Sequence, residues 1–141
     1  MREFKLRAWD NVNGQMGYFE PGFQRHDEYD LWHLNPDVKT TKGNIIRNFT
    51  CVPCEKNINL MQFTGLKDKN DVEIYEGDIL LYESYKWLEV EYHDDCGAFM
   101  FRYPLSDGDG TNIMHAHNFR VGHAEVIGNI YENPELLEGV T

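Results

Sequence analysis

Apolar and polar residues alternate with a period of two along several short stretches, separated by turn residues about every eight to twelve positions. Phe4, Leu6 and Ala8 alternate with Lys5 and Arg7, which predicts a strand with the three apolar residues facing inward. Asn11-Val12-Asn13-Gly14 reads as a turn, because Asn and Gly tolerate positive φ, and Gln15 to Phe19 then completes an opening hairpin. Leu60 to Thr64 predicts a strand ending at Gly65, and Lys67-Asp68-Lys69-Asn70-Asp71 an exposed polar hairpin tip before a strand over Val72 to Tyr75. Ile79 to Tyr82 is a continuous apolar run suited to a buried strand. Leu88, Val90 and Tyr92 alternate with Glu89 and Glu91, placing the first three in the core and the two acids on the solvent side. His93 to Gly97 turns this strand into a hairpin partner over Ala98 to Tyr103. Ala124 to Tyr131 supplies a last strand, interrupted at Gly128, where a bulge or a close backbone approach is expected.

Helical signals are scarce among four alanines and twelve glycines. Asn133-Pro134-Glu135-Leu136-Leu137-Glu138-Gly139 is the exception, with an N-cap residue, Pro at the first helical position and Gly as stop. Glu20 to Thr50 is divided by Pro21-Gly22, Asn35-Pro36 and Lys42-Gly43-Asn44, and accommodates an insertion hairpin or a short helix around Asp27 to Leu34. Ser106 to Gly110 has the composition of a flexible loop. About nine short strands argue for a mainly β fold, a small closed β-barrel with an irregular insertion and a short C-terminal helical turn.

Composition narrows the setting. The chain has 141 residues, suited to one domain, and 24 acids against 13 bases give a net charge of −11. Residues 1–50 are balanced at seven and seven, whereas residues 67–95 hold ten acids and three bases. Such a charge opposes counterion-release binding to nucleic acid and suits a basic protein partner. No stretch is apolar enough for a membrane span, and the opening residues lack a secretory pattern. Three cysteines do not make a disulfide framework, so a reduced, cytoplasmic protein is expected.

Leu60-Met61-Gln62-Phe63-Thr64-Gly65-Leu66-Lys67-Asp68-Lys69-Asn70, followed by Ile74-Tyr75-Glu76-Gly77-Asp78-Ile79, resembles the YopX-like family of phage and prophage proteins. The opening Phe4-Lys5-Leu6-Arg7-Ala8-Trp9-Asp10 with Met16, and the closing Val126 to Pro134, resemble that family's start and end. The resemblance implies a single domain over 1–141 with insertions at about 20–57 and 103–123, a closed barrel core and self-association. It implies no catalytic activity, no catalytic residues and no cofactor. Trp9, Gly65, Tyr75, Gly77, Asp78 and Gly128 are then structural residues of the motif blocks, Asp78 holding the turn before Ile79.

Three readings of function follow. In the first, the chain is a non-enzymatic accessory protein that forms homo-oligomers and meets an unknown, basic partner. Tyr82, Tyr85, Trp87, Glu89 and Glu91 are its candidate interaction residues. In the second, the chain is a metal-dependent enzyme or a zinc-stapled domain that uses Cys51-Val52-Pro53-Cys54 and histidines such as His115, His117, His123 and His93, with Cys96; no second CxxC accompanies the first, so no metal ligand is assigned. In the third, Lys5, Arg7 and Trp9 share a strand face that grips phosphate and stacks bases.

Overall fold

The structure is a computed structural model, and its description covers residues 4–11, 14–19, 23–26, 31–34, 38–40, 45–46, 58–83, 85–106, 110–115 and 120–138. It is mainly β, built from antiparallel sheets, and divides into two compact units, residues 1–62 and 63–141.

In the first unit, β1 (Leu6–Asp10) and β2 (Gln15–Phe19) form the expected hairpin. Gly14 takes a φ of +61° in its turn and donates its N–H to the Asp10 carbonyl at 2.9 Å. β3 (Phe23–His26) pairs with β4 (Leu31–Leu34), so the insertion carries a hairpin, and residues 31–34 are strand rather than helix. β5 (Val38–Thr40) joins β2, and β6 (Ile45–Ile46) joins β5. β1 also pairs with the first half of β7 (Ile58–Lys67), Arg7 standing opposite Met61.

β1 is covered on both faces: Ala8 is buried as expected, Leu6 is half-buried, and Arg7 on the opposite face is buried too. Arg7 shares a face with Met61 and Met16, which are 3% and 0% exposed, and Arg7 itself is 3% exposed. Phe4, expected inside, is 55% exposed. Alternation alone fixes which residues share a face, not whether one face or both are covered.

In the second unit, the end of β7 pairs with β8 (Glu73–Tyr75), with a register irregularity between Phe63 and Lys67. Gly65 lies there at φ +87°, so it bends β7 instead of ending it. A five-stranded sheet follows, in the order β12 (Thr111–His115), β11 (Ala98–Pro104), β10 (Tyr85–His93), β9 (Asp78–Tyr82), β13 (Glu125–Asn129). Ile74, Leu80, Leu88, Val90, Phe101, Val121 and Ala124 form its core. β12 and β13 are its end strands, and no pairing joins them among the described residues. A 3-10 turn at Val121–His123 leads into β13, and a 3-10 helix spans Pro134–Leu137.

Two expected core positions lie outside the core. Leu81 is 46% exposed although Ile79 on the same face of β9 is buried, so cover ends before Leu81, and Tyr92 is 43% exposed at the hairpin end of β10. No helix among the described residues is long and apolar enough to cross a membrane.

Candidate functional site

The middle block from Phe63 onward and the closing block meet in the second unit, where their polar atoms hold backbone together. Asp68, expected at an exposed tip, is buried. One carboxylate oxygen accepts the N–H groups of Asn70 and Val72 at 2.8 and 2.9 Å; the other accepts the Val126 N–H at 2.9 Å. Lys69 adds a backbone bond to the Ala124 carbonyl and an ion pair with Glu125 at 2.6 Å. The turn is thereby fastened to the edge strand β13. Burial pushes the Asp68 carboxyl up, but the Val126, Val72 and Asn70 N–H donors and the Lys69 charge outweigh it and hold its pKa below the usual aspartate value.

Asp78 works in the same way. It is 1% exposed and accepts the Tyr75 N–H at 2.8 Å across the turn containing Gly77, whose φ is +84°. Gly77 donates to the Val90 carbonyl and accepts from Ile130, linking β10 to the chain after β13. The Tyr75 ring packs on Phe63 at 5.5 Å and its hydroxyl donates to Glu73.

At Gly128 both expected features occur together. β13 shifts register between Val126 and Gly128, and a Cβ at Gly128 would come within 2.5 Å of the Asn133 side-chain oxygen. That oxygen accepts the Asn129 N–H at 3.3 Å, so Asn133 does not cap the 3-10 helix with its side chain. The Asn129 side chain accepts from Tyr131 and Glu132. Trp9 is half-buried in β1, opposite Met16 and Asn59.

The candidate interaction residues divide into two groups. Tyr82 and Tyr85 are half-buried against the core, with ring centroids 6.2 Å apart, and Tyr85 meets Tyr103 edge-on at 4.9 Å. Trp87, Glu89 and Glu91 share the other face of β10, and Arg102 of β11 lies opposite Glu89. The guanidinium pairs with Glu89, reaches Glu91 at 2.9 Å through Nε, and stacks over the Trp87 ring at 5.2 Å. Burial lowers the Arg102 pKa.

Trp87 is 3% and Glu89 8% exposed. Trp87 is therefore interior, and Glu89 is not on the solvent side where alternation placed it. Both faces of β10 are covered at this level of the strand, a situation that period-two reading does not anticipate. The Trp87 indole N–H has no acceptor among the described residues. Two carboxylates on one guanidinium leave no uncommitted acid with a contrasting environment, so the cluster reads as a structural ion pair rather than an acid-base pair.

Of the proposed metal ligands, Cys51, Cys54 and His117 lie outside the described residues. His115 is exposed on β12, His123 is exposed in the 3-10 turn, and Cys96 is exposed in the β10–β11 turn. Among the described residues no three His, Cys, Asp or Glu side chains stand close enough to share a metal ion. The Lys5, Arg7 and Trp9 face is not an open strand face, since Arg7 is buried and the other two are half-buried.

Sequence reasoning missed Asp68. Half of its role was legible, since an Asp followed two residues later by an amide donor forms an Asx turn. The bond to Val126 joins residues 58 positions apart, and no local pattern announces it.

The chain is similar over its length to two crystal structures. One is the protein EF1440 of Enterococcus faecalis, with 28% identity, TM-score 0.57 and coverage of 97% of this chain and 99% of that one. The other is the protein yopX of Bacillus subtilis, with 22% identity, TM-score 0.51 and coverage of 97% and 98%, a likeness of fold. No curated protein matches the chain. The sequence model of the YopX protein family matches residues 5–138, and the chain belongs to that family.

Proposed function

We propose that the protein is a non-enzymatic phage or prophage accessory protein, cytoplasmic in its bacterial host, that self-associates and acts through protein contacts. The observation that supports this reading is a pair of exposed aliphatic residues on neighbouring strands. Leu81 of β9 is 46% exposed and Ile127 of β13 is 37% exposed, at the end of the five-stranded sheet. The outer edge of β13 is already occupied, since Asp68 takes the Val126 N–H and Asn133 that of Asn129. Association at this end would therefore use side chains rather than strand addition.

The same reading treats 1–141 as one domain with insertions at about 20–57 and 103–123, and the five-stranded sheet as part of a closed barrel. Closure would require β12 and β13 to be bridged by further chain, which would remove both free edges. The motif residues Trp9, Gly65, Tyr75, Gly77, Asp78 and Gly128 serve this framework in the proposal, and no cofactor is involved.

Light scattering on a sizing column across a dilution series tests self-association. An oligomer whose mass falls to that of one chain in L81K/I127K, with the melting temperature retained, is the expected result. A strict monomer at every concentration of the unaltered protein would overturn it.

A further inference from the structure

The end of the β10–β11 hairpin presents an aromatic pair that the core does not absorb. Tyr92 and Phe99 are cross-strand partners, with centroids 5.3 Å apart and rings inclined at 73°. Alternation puts them on the face that carries Val90 and Phe101, yet Tyr92 is 43% exposed. The turn beside them is well formed: Cys96 donates to the His93 carbonyl at 3.2 Å, Gly97 donates to the Asp94 carbonyl at 3.3 Å, and Gly97 has a φ of +59°. The turn holds Asp94 and Asp95, both exposed, and neither carboxylate has a hydrogen-bond or ion-pair partner among the described residues.

These acids differ from the others of the hairpin. Glu89 and Glu91 are both paired with Arg102. Asp94 and Asp95 face solvent. The surrounding field has the same sign, because residues 63–141 hold sixteen acids and five bases whereas residues 1–62 hold eight of each. An exposed aromatic face beside two free carboxylates matches one chemistry in particular. A guanidinium is the side-chain group that both stacks on aromatic rings and donates to carboxylates, whereas an apolar or acidic partner meets an uncompensated charge.

We propose that the Tyr92–Phe99 pair with Asp94 and Asp95 is a docking surface for an arginine-bearing segment of a basic partner protein. The surface rests on the reading that the chain works through protein contacts, but not on self-association, which uses the Leu81 and Ile127 end of the sheet. The field of the 63–141 unit accelerates encounter, and the aromatic pair gives Arg preference over Lys.

The test uses a nine-residue peptide of three Arg-Gly-Ser repeats, with Lys-for-Arg and Gln-for-Arg versions, titrated by calorimetry at low and at raised salt. Binding at low salt in the order Arg, Lys, Gln, weakened by salt, is expected. Y92L should raise Kd about two- to five-fold, and D94N/D95N about three- to ten-fold. The control E132Q/E135Q removes the same charge from exposed positions elsewhere in the unit and should change Kd by less than about two-fold. L81K/I127K should leave peptide binding in place even as a monomer, which separates failure of self-association from failure of this surface. An equal loss in the control, a Y92L protein that binds as the unaltered one does, or no binding at low salt would each overturn the proposal.

Discussion

Two polar turns of this protein look alike in sequence and do opposite work. Lys67 to Asp71 and His93 to Gly97 both join antiparallel strands, and both are rich in Asp. In the first, Asp68 is buried and its carboxylate collects three backbone N–H groups, one of them from β13. In the second, Asp94 and Asp95 remain exposed beside Tyr92. A count of charges treats these acids as equal. The structure separates a carboxylate that builds the fold from carboxylates that are free to meet something else, and the difference is the supply of backbone donors within reach.

The largest effect should come from breaking the first turn. Asp68→Ala removes the acceptor from three backbone donors and should cost about 3 kcal/mol or more. Asp68→Asn keeps one acceptor oxygen and should cost less. Chemical denaturation checks both, and a loss below about 0.5 kcal/mol for Asp68→Ala would erase the contrast between the turns.

Next stands the ion cluster on β10 and β11. Arg102→Ala leaves Glu89 buried without its counter-charge and should cost about 3 kcal/mol, whereas Glu89→Gln with Arg102→Met should cost clearly less. Equal losses in the two proteins would show that packing, not charge, holds this site.

Gly128→Ala should cost about 1–3 kcal/mol, because the added Cβ overlaps the Asn133 side chain. Removing that side chain to its Cβ should restore only part of the loss, since the Asn133 Cβ itself lies 2.9 Å from the added atom.

The pH dependence separates the two turns more finely. Asp68 has a folded pKa below its unfolded value, so its contribution is complete above the unfolded pKa of about 4 and is lost as pH falls through the folded value. The fall in stability on acidification should therefore be shallower in Asp68→Asn. The melting temperature of D94N/D95N at neutral pH should not move. A clear fall in the melting temperature of D94N/D95N would mean that the second turn also carries fold.

Much of the strand pattern was legible in the sequence. The opening hairpin, the β10–β11 hairpin, the bulge at Gly128 and the turn held by Asp78 follow from local chemistry, and each is present. What escaped were properties set by neighbours across the fold. Arg7 is interior beside the buried Met61 although Ala8 on the other face is buried too, and Trp87 and Glu89 are interior because both sides of β10 are covered. The division between the units was equally silent: it falls inside β7, with no Gly or Pro linker to mark it. β12 escaped because Asn112 to His115 offers no clear alternation, and its place follows from pairing with β11.

Amide hydrogen exchange of Val126 and Val72, followed by NMR in the unaltered protein, Asp68→Asn and D94N/D95N, tests the division between the turns most directly. Both amides donate to Asp68, at 2.9 Å. They should exchange as slowly as the core of the 63–141 unit, lose protection in Asp68→Asn and keep it in D94N/D95N. Rapid exchange of Val126 in the unaltered protein, or equal loss of protection in both variants, would contradict that division.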